Sequence, residues 1–241
     1  MKYLLLQHWT GSLGELEYYS SHNIKEYAIR CEADYQLLRG NVFHPKLTAP
    51  CQKLVMLTEQ FDEYDIVVML DADMFTRRGM TGNIFTVPGI GMTTDFQKSL
   101  LVNMKKRFPT FVNLNYPYWG GAIWKLTRKQ RQTLRKHISE KDLLVFNGNY
   151  EDEGIMHRLA TLSNMKEPNA LPGGNSWCHC SYRPGIEQAE MIHIRPKVTP
   201  TGPKRPKLEN YADLVNRGFI DAPDISILGR YYSLRHSGQL Q

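Results

Sequence analysis

Asp71 and Asp73 are the two residues whose type and spacing most clearly suggest chemistry in this 241-residue chain. They follow Ile66–Leu70, a run of five apolar residues typical of a strand buried on both faces of a parallel sheet. Ligands of such sheets bind just beyond the carboxyl ends of the strands. Two carboxylates this close repel each other unless a cation neutralises them, so the pair predicts a site for Mg²⁺ or Mn²⁺. The structural alternative, an aspartate that caps a helix, explains only one of the two.

A second acidic cluster, Glu151, Asp152 and Glu153, opens a segment with apolar residues at helical spacing. The dipole of a helix stabilises acids in its first turn, which explains two of the three without any chemistry. The third acid is a candidate for a reacting carboxylate.

Three basic residues and a histidine offer further candidates. His193 lies on a short apolar segment and is followed by Arg195 and Lys197. A lone histidine on a strand is more often a packing residue than a metal ligand, so both roles stay open. Lys53 lies on a helix that Pro50 opens, just ahead of the central strand. It either reaches a phosphate or is an ordinary solvated lysine.

Two loops have the composition of ligand-binding segments. The loop after the first predicted strand is a natural place for a nucleotide base, with an aromatic ring available for stacking. Its residues are Gln7, His8, Trp9 and Thr10. Trp9 is equally well explained as a core residue. Gly120 and Gly121 precede a short predicted strand, where paired glycines allow close backbone approach to a ligand or form a turn or bulge.

Composition bounds the class of protein. A hydrophobic fraction of 41% supplies a core and argues against global disorder. The net charge of +6 suits an anionic ligand such as a nucleotide diphosphate, and also suits nucleic acid or a membrane surface. Four cysteines are too few for a disulfide scaffold, and Cys178-His179-Cys180 lacks the second ligand pair of a zinc site. Reduced thiols in a cytoplasmic compartment are therefore expected, with no membrane span.

Strand and helix patterns alternate along the chain, which predicts a doubly wound α/β sheet. Strands are expected at 2–7, 26–31, 66–70, 88–94, 122–124 and 191–197, and helices at 13–20, 50–61, 98–108, 127–137 and 209–217. Four prolines between 196 and 207 predict an extended linker or a strap over the domain.

Taken in order, these features resemble the glycosyltransferases of the GT-A fold, particularly the glycogenin-like and galactosyltransferase-like retaining group. The most specific match is a helix with a lysine, Lys53, before a strand that ends in Asp71-Ala72-Asp73. Looser matches are an aspartate at the end of the next strand, a glycine pair before a short strand, acids that open a helix and a late histidine: Asp95, Gly120-Gly121, Asp152-Glu153 and His193. Gly120 replaces an asparagine of the family pattern, and Glu153 replaces a glutamine.

The resemblance implies a Rossmann-like mixed, mostly parallel sheet flanked by helices, in a single GT-A domain over 1–197, with 198–241 as a Pro-rich strap and C-terminal extension. It implies transfer of a hexose or deoxyhexose from a nucleotide diphosphate sugar, expected to be a UDP-sugar, to a glycan or glycoprotein hydroxyl with retention. Asp71, Asp73 and His193 are expected to bind Mn²⁺ or Mg²⁺. Asp152 is expected to lie near the anomeric carbon of the sugar, with Glu151 and Glu153 as its neighbours. The expected donor-binding residues are Gln7, His8, Trp9, Thr10, Lys53, Asp71, Ala72, Asp73, Asp95, Gly120, Gly121, Arg195 and Lys197.

The chain is also similar to glycosyltransferase domains of large algal viruses that modify capsid glycans. That similarity implies a viral protein of the host cytoplasm, in which the Pro-rich segment leads towards a further domain.

Two rival functions belong to other classes. A phosphatase of the haloacid-dehalogenase type would use Asp71 as nucleophile, but such enzymes usually have Thr or Val where Phe75 stands, and their motif tends to follow the first strand. A basic nucleic-acid-binding module would explain the charge. No nucleic-acid motif accompanies it, and it leaves the acidic pair without a purpose.

Overall fold

The computed structural model describes residues 1–92, 95–116, 118–165, 171, 176–199 and 201–240, without the side chains of 92 and 95–98. Its strands are β1 (Tyr3–Trp9), β2 (Asp34–Arg39), β3 (Ile66–Leu70), β4 (Met74–Thr76), β5 (Gly91–Met92), β6 (Gly120–Thr127), β7 (His179–Cys180) and β8 (Met191–His193). Its α-helices are α1 (Glu15–Arg30), α2 (Asp95–Arg107), α3 (Arg128–Arg135), α4 (Glu140–Val145), α5 (Glu151–Leu162), α6 (Lys207–Asn216) and α7 (Ile225–His236). Short 3₁₀ helices cover Pro50–Leu57, Glu59–Phe61, Ser176–Cys178 and Ile186–Gln188.

The central sheet has five strands in the order β2-β1-β3-β6-β5. β1 pairs in parallel with β2 and β3, whereas β6 pairs antiparallel with β3 and β5. Only β6 therefore runs against the other strands, and the expected mixed, mostly parallel sheet is confirmed. A smaller sheet, β4-β8-β7, continues from the carboxyl end of β3, because β4 begins directly after Asp73.

The central strand is buried on both faces, as its apolar run predicts. Val67 and Met69 pack into one hydrophobic cluster, and Val68 and Leu70 pack into another on the opposite face. Side chains alternate across a strand, so a run without polar residues requires apolar layers on both sides. Because β3 is buried on both faces, its position in the sheet is fixed. The turn that follows β3 and carries the acidic pair is held in place with it.

The predicted strand at 26–31 is wrong, because α1 extends to Arg30. Leu16, Ser20, Ile24 and Tyr27 are buried at helical spacing, whereas Ile29 is 58% exposed. The second strand is instead β2, an edge strand with only intermediate or exposed residues, so it lacks the apolar run that identifies β3.

The other predicted elements agree with the structure to within a few residues, whereas β4, β7, α4 and α7 were not predicted. Pro50 opens a 3₁₀ helix, and Thr127 caps α3 in a capping box with Gln130. Of the strand predicted at 88–94, the structure shows only β5, which covers Gly91–Met92. Residues 93–94 lie outside the described residues. In the described ranges, every helix lacks the length or the apolar character that crossing a membrane requires.

The C-terminal helices pack onto α1 and the smaller sheet. Tyr211 of α6 and Tyr231 of α7 share a hydrophobic cluster with Tyr19 and Phe75. The Pro-rich strap between β8 and α6 is closed by a bridge between Lys197 and Lys204. The strap therefore returns the chain to the end of β8, beside the turn that carries the acidic pair.

Candidate functional site

Asp71 and Asp73 lie in the turn between β3 and β4. The Asp71 N–H donates to the carbonyl of Ala122 at 3.0 Å, and the Asp73 carbonyl accepts from the N–H of Ile194 at 3.0 Å. Ala72 between them is buried and contributes no polar side-chain atom. Strands on both sides thus hold the backbone of the turn, and its two carboxylates are fixed side by side.

His193 joins the two carboxylates because β8 pairs with β4. The antiparallel register places His193 opposite Met74, the residue after Asp73. The Nε2 atom of His193 lies 3.1 Å from Oδ1 of Asp73 and 3.8 Å from Oδ2 of Asp71. Among the described residues, this is the one group of three or more potential ligands, with one ligand atom from each residue within 4.8 Å of the others.

The donor set fits a hard divalent ion. Two carboxylates suit Mg²⁺ and Mn²⁺ alike, and an added imidazole nitrogen favours Mn²⁺. The thiol of Cys178 lies 3.8 Å from Nδ1 of His193, on the side away from the carboxylates. Burial raises the pKa of this thiol well above its usual range, and its contact with Nδ1 orients the imidazole.

Lys53 is buried beneath the acidic pair. Its Nζ lies 2.6 Å from Oδ1 of Asp71 and 2.7 Å from Oδ2 of Asp152, and it donates to the carbonyl of Gly121 at 2.7 Å. Burial lowers the pKa of the ammonium, but Asp152 and Asp71 outweigh that effect and raise the pKa above its ordinary value. Of the two roles that the sequence left open, a solvated lysine is excluded.

Asp152 lies in the first turn of α5, and its carboxylate is buried against β6. Burial raises the pKa of Asp152 to about 6, since the Lys53 ammonium offsets only part of the desolvation and Glu153 adds repulsion. A Cβ on Gly121 would lie 2.5 Å from Oδ2 of Asp152, so this approach requires glycine.

The turn ahead of Asp152 is strained. Tyr150 and Glu151 have positive φ angles of 63° and 39°. Such backbone costs on the order of 1–3 kcal/mol per residue and persists where the surroundings enforce it. Here Phe146 packs so closely on Gly154 that a Cβ there would lie 2.5 Å from its ring. Glu151 is half-buried in this turn.

Glu153 uses both carboxylate oxygens within the protein. Oε1 accepts from the N–H of Gly121 at 2.7 Å, and Oε2 accepts from the hydroxyl of Tyr118. Glu153 therefore anchors the first residues of β6, and Gly120 is half-buried beside them. The structure thus brings Asp152, Glu153 and the glycine pair together.

Gln7 supports the acidic turn. Its amide donates to the Asp71 carbonyl at 3.0 Å and to the Ser20 hydroxyl at 2.9 Å, and its oxygen accepts from Tyr35 at 2.8 Å. Both N–H donors are thus used inside the protein.

The next three residues lie at the carboxyl end of β1. His8 is buried, with Nε2 2.7 Å from the Gly40 carbonyl, and burial lowers its pKa. The Trp9 indole donates to the Ser12 carbonyl at 2.9 Å, and both Trp9 and Thr10 are half-buried.

Of the remaining expected residues, Arg195 contacts the cluster directly. Arg195 is exposed, and its Nη1 lies 3.5 Å from Nε2 of His193. Lys197 lies on the strap, where its carbonyl accepts from Nδ2 of Asn210 at 3.2 Å. Asp95 begins α2, and its side chain falls outside the described residues.

No protein-family sequence profile matches this chain, and no curated protein sequence matches it. Its structure is similar to that of a glycosyltransferase involved in glycosylation of the major capsid of PBCV-1, with a TM-score of 0.50, 10% identity and coverage of 89% of this chain and 99% of that chain. It is also similar to the galactosyltransferase LgtC in complex with donor and acceptor sugar analogs, with a TM-score of 0.50, 10% identity and coverage of 94% and 99%. The chain has the GT-A fold. At 10% identity the likeness concerns the path of the chain, and the chemistry rests on the side chains.

Two residues that the sequence did not single out complete the polar surroundings of the site in this GT-A fold. Lys207, the first residue of α6, contacts Oδ2 of Asp73. Burial raises the pKa of Asp73, but His193 and Lys207 outweigh it and hold the pKa below its usual range. In α1, burial raises the pKa of Glu17, and the charge of Asp73 adds to the shift. A lysine at the N-terminus of a helix opposes the helix dipole, which was the available signal for Lys207.

Lys53→Met should destabilise the protein by about 3–5 kcal/mol, because it leaves buried carboxylates without their counter-ion. Asp152→Asn in the same chain should recover part of that loss, since one of the two stranded charges is then removed. Urea unfolding of both single variants and the double variant measures the coupling. Additive effects of the two substitutions would contradict a direct ion pair.

Proposed function

We propose that this protein is a metal-dependent glycosyltransferase that moves a hexose or deoxyhexose from a UDP-sugar to a hydroxyl group of a glycan, with retention. The observation that carries this proposal is the meeting of Asp71, Asp73 and His193 at the carboxyl end of β3 in a GT-A fold. The glycosylation of a viral capsid by one similar protein, and the donor and acceptor sugar analogs bound to the other, support a glycoprotein glycan as acceptor.

Asp71, Asp73 and His193 would hold Mn²⁺ or Mg²⁺. Bound there, the ion would supply a Lewis acid for the departing diphosphate, so that no protein acid need protonate it. Arg195 and Lys197 follow His193 and add positive charge at the side of the site where the leaving group gains negative charge. Gln7 acts indirectly, because its amide holds the carbonyl of Asp71.

The loop from His8 to Thr10 is the proposed nucleotide site. It forms the carboxyl end of β1, which pairs in parallel with β3, so it lies at the same edge of the sheet as the acidic turn. The half-buried Trp9 ring offers a face for the base, and Thr10 offers a hydroxyl for polar contact.

Asp152 is the proposed carboxylate on the sugar side. Lys53 joins it to Asp71, which places it next to the metal ligands without direct contact. A fixed carboxylate there stabilises positive charge that develops at the anomeric carbon. Glu153 acts indirectly, because its carboxylate holds the N–H of Gly121, and Glu151 belongs to the same turn as Asp152. Asp95 is proposed to accept hydrogen bonds from sugar hydroxyls.

The phosphatase alternative fits the site less well. Asp71 pairs with Lys53 through Oδ1 and keeps Oδ2 for a ligand or an attack, so this ion pair alone does not decide between the two reactions. The acidic pair, however, follows the third strand of the chain, and its site includes a histidine that the phosphatase reaction does not use.

UDP should stabilise the protein only when Mn²⁺ is present, because the ion links the acidic cluster to the diphosphate. At saturating UDP the melting temperature should rise by about 5 °C or more. GDP and p-nitrophenyl phosphate, each with and without Mn²⁺, are the comparison ligands in a thermal-shift assay.

In that assay Asp73→Ala should lose the UDP-dependent shift and the transfer of sugar, while Glu187→Ala, an exposed carboxylate, should retain both. Indifference of the wild type to every nucleotide would refute the proposed function. Undiminished activity of Asp73→Ala in EDTA would refute the metal assignment.

Asp152→Asn should lower the rate of sugar transfer by about 100-fold or more, the contribution typical of one preorganised group that stabilises charge in the transition state. Because the ionised form of Asp152 is required and its pKa is raised to about 6, wild-type kcat/KM should fall as the pH decreases through that value. Kinetics from pH 5 to 8 on both proteins test this. A loss of rate of about tenfold or less in Asp152→Asn, or a wild-type kcat/KM that does not change with pH, would contradict this role. Asp152 would then only stabilise the N-terminus of α5 through the helix dipole.

A further inference from the structure

We propose that Lys207 is an exchangeable counter-ion of the metal site: its ammonium neutralises Asp73 in the metal-free protein and leaves this carboxylate when a divalent ion binds. This inference rests on the metal site of the proposed function. It links metal binding to the C-terminal segment, which supplies Lys207.

The two carboxylate oxygens of Asp73 have different partners. Its Oδ1 lies 3.1 Å from Nε2 of His193, whereas its Oδ2 contacts the ammonium of Lys207. Asp73 is 7% exposed, so its charge requires a nearby cation in every state of the protein. A divalent ion bound by Asp73 and His193 makes the lysine redundant as counter-ion and repels its ammonium.

The two lysines of the acidic pair differ in how firmly they are held. The Lys53 side chain is 8% exposed and contacts two carboxylates and a backbone carbonyl. The Lys207 side chain is 38% exposed and, among the residues described, its ammonium contacts only the carboxylate of Asp73. Removing the Lys53 ammonium would leave two carboxylates and a backbone carbonyl without their partner, whereas Lys207 leaves only Asp73, which the bound divalent ion then neutralises. Lys53 is therefore a permanent part of the site, and Lys207 is the lysine that exchanges.

The position of Lys207 is built into the strap. Asn210, one turn further along α6, is buried, and its Nδ2 donates to the carbonyls of Arg195 at 2.5 Å and Lys197 at 3.2 Å. The N–H of Arg205 donates to the carbonyl of Pro196 at 3.1 Å. These bonds tie the start of α6 to the end of β8, so Lys207 stays over the acidic turn even when its ion pair is broken.

The location of Lys207 is unfavourable for a helix taken alone. It is the first residue of α6, where the helix dipole disfavours a cation, and the preceding Pro206 offers no side-chain cap. Asp73 compensates for this arrangement in the metal-free protein. After exchange, the half-exposed ammonium of Lys207 is open to solvent, and the diphosphate of a donor provides the replacement anion.

Acetylation of lysines by sulfo-N-hydroxysuccinimide acetate, read by mass spectrometry, tests the exchange in the wild-type protein. In EDTA, Lys207 should react slowly because its ammonium is paired, and added Mn²⁺ should speed its acetylation at least about fivefold, the lower end of typical coupling between two ligands. Lys204, exposed on the same strap, is the internal control and should not respond. Equal Lys207 rates with and without Mn²⁺ would overturn the inference.

If Lys207 and the divalent ion compete for the carboxylate of Asp73, removal of this lysine should tighten metal binding. Titration followed by the EPR signal of free Mn²⁺ should show Lys207→Met binding Mn²⁺ at least about fivefold more tightly than wild type. Lys204→Met, which removes the same charge without a contact to Asp73, should stay within about twofold of the wild type. Equal affinities of the two variants would overturn the exchange alone. No Mn²⁺ binding by wild type or either variant would overturn the proposed metal site and the exchange with it.

Discussion

The ammonium of Lys53, buried between Asp71 and Asp152, is the interaction on which the rest of this site depends. It lies 2.6 Å and 2.7 Å from the two carboxylates and draws together the 3₁₀ helix, the β3–β4 turn and the first turn of α5. One buried cation between two carboxylates leaves an excess of negative charge, and Asp73 adds to it. That excess is what gives a site of this kind affinity for a further cation, whether a lysine side chain or a divalent ion.

The approach of Asp152 to this ammonium requires departures from ordinary backbone. Gly121 has no Cβ, and its carbonyl and N–H are used by Lys53 and Glu153. The positive φ angles of Tyr150 and Glu151 turn the chain into α5 at the required point. In the proposed reaction, a carboxylate fixed in this way would be oriented before substrate arrives, which lowers the reorganisation that electrostatic catalysis otherwise needs.

The sequence predicted the parts of the site that depend on local pattern. The apolar run of β3 identified a strand buried on both faces, and the position of Asp71 and Asp73 after it predicted a ligand site at the sheet edge. His193 joined them only through the order of features in the resemblance, because no local pattern shows that β8 pairs with β4.

The remaining contacts depend on the three-dimensional path of the chain. Lys207 reaches Asp73 because the strap folds back, and proline content indicates an extended segment without its direction. Gln7 was expected to contact the nucleotide base, whereas its amide donates to the carbonyl of Asp71 and to Ser20 of α1. Such hydrogen bonds between separate elements cannot be inferred from residue type. The edge strand β2 was missed because an edge needs no apolar run, and the helical spacing of α1 was read as a strand at its end.

The most direct test of the proposed metal site is an anomalous difference map from crystals grown with Mn²⁺ and UDP, with data collected above the manganese absorption edge. A single manganese peak is expected between Asp71, Asp73 and His193, bound directly by Asp73 and His193. A map without a peak at this position, or with manganese bound elsewhere while the three residues stay unliganded, would contradict the assignment.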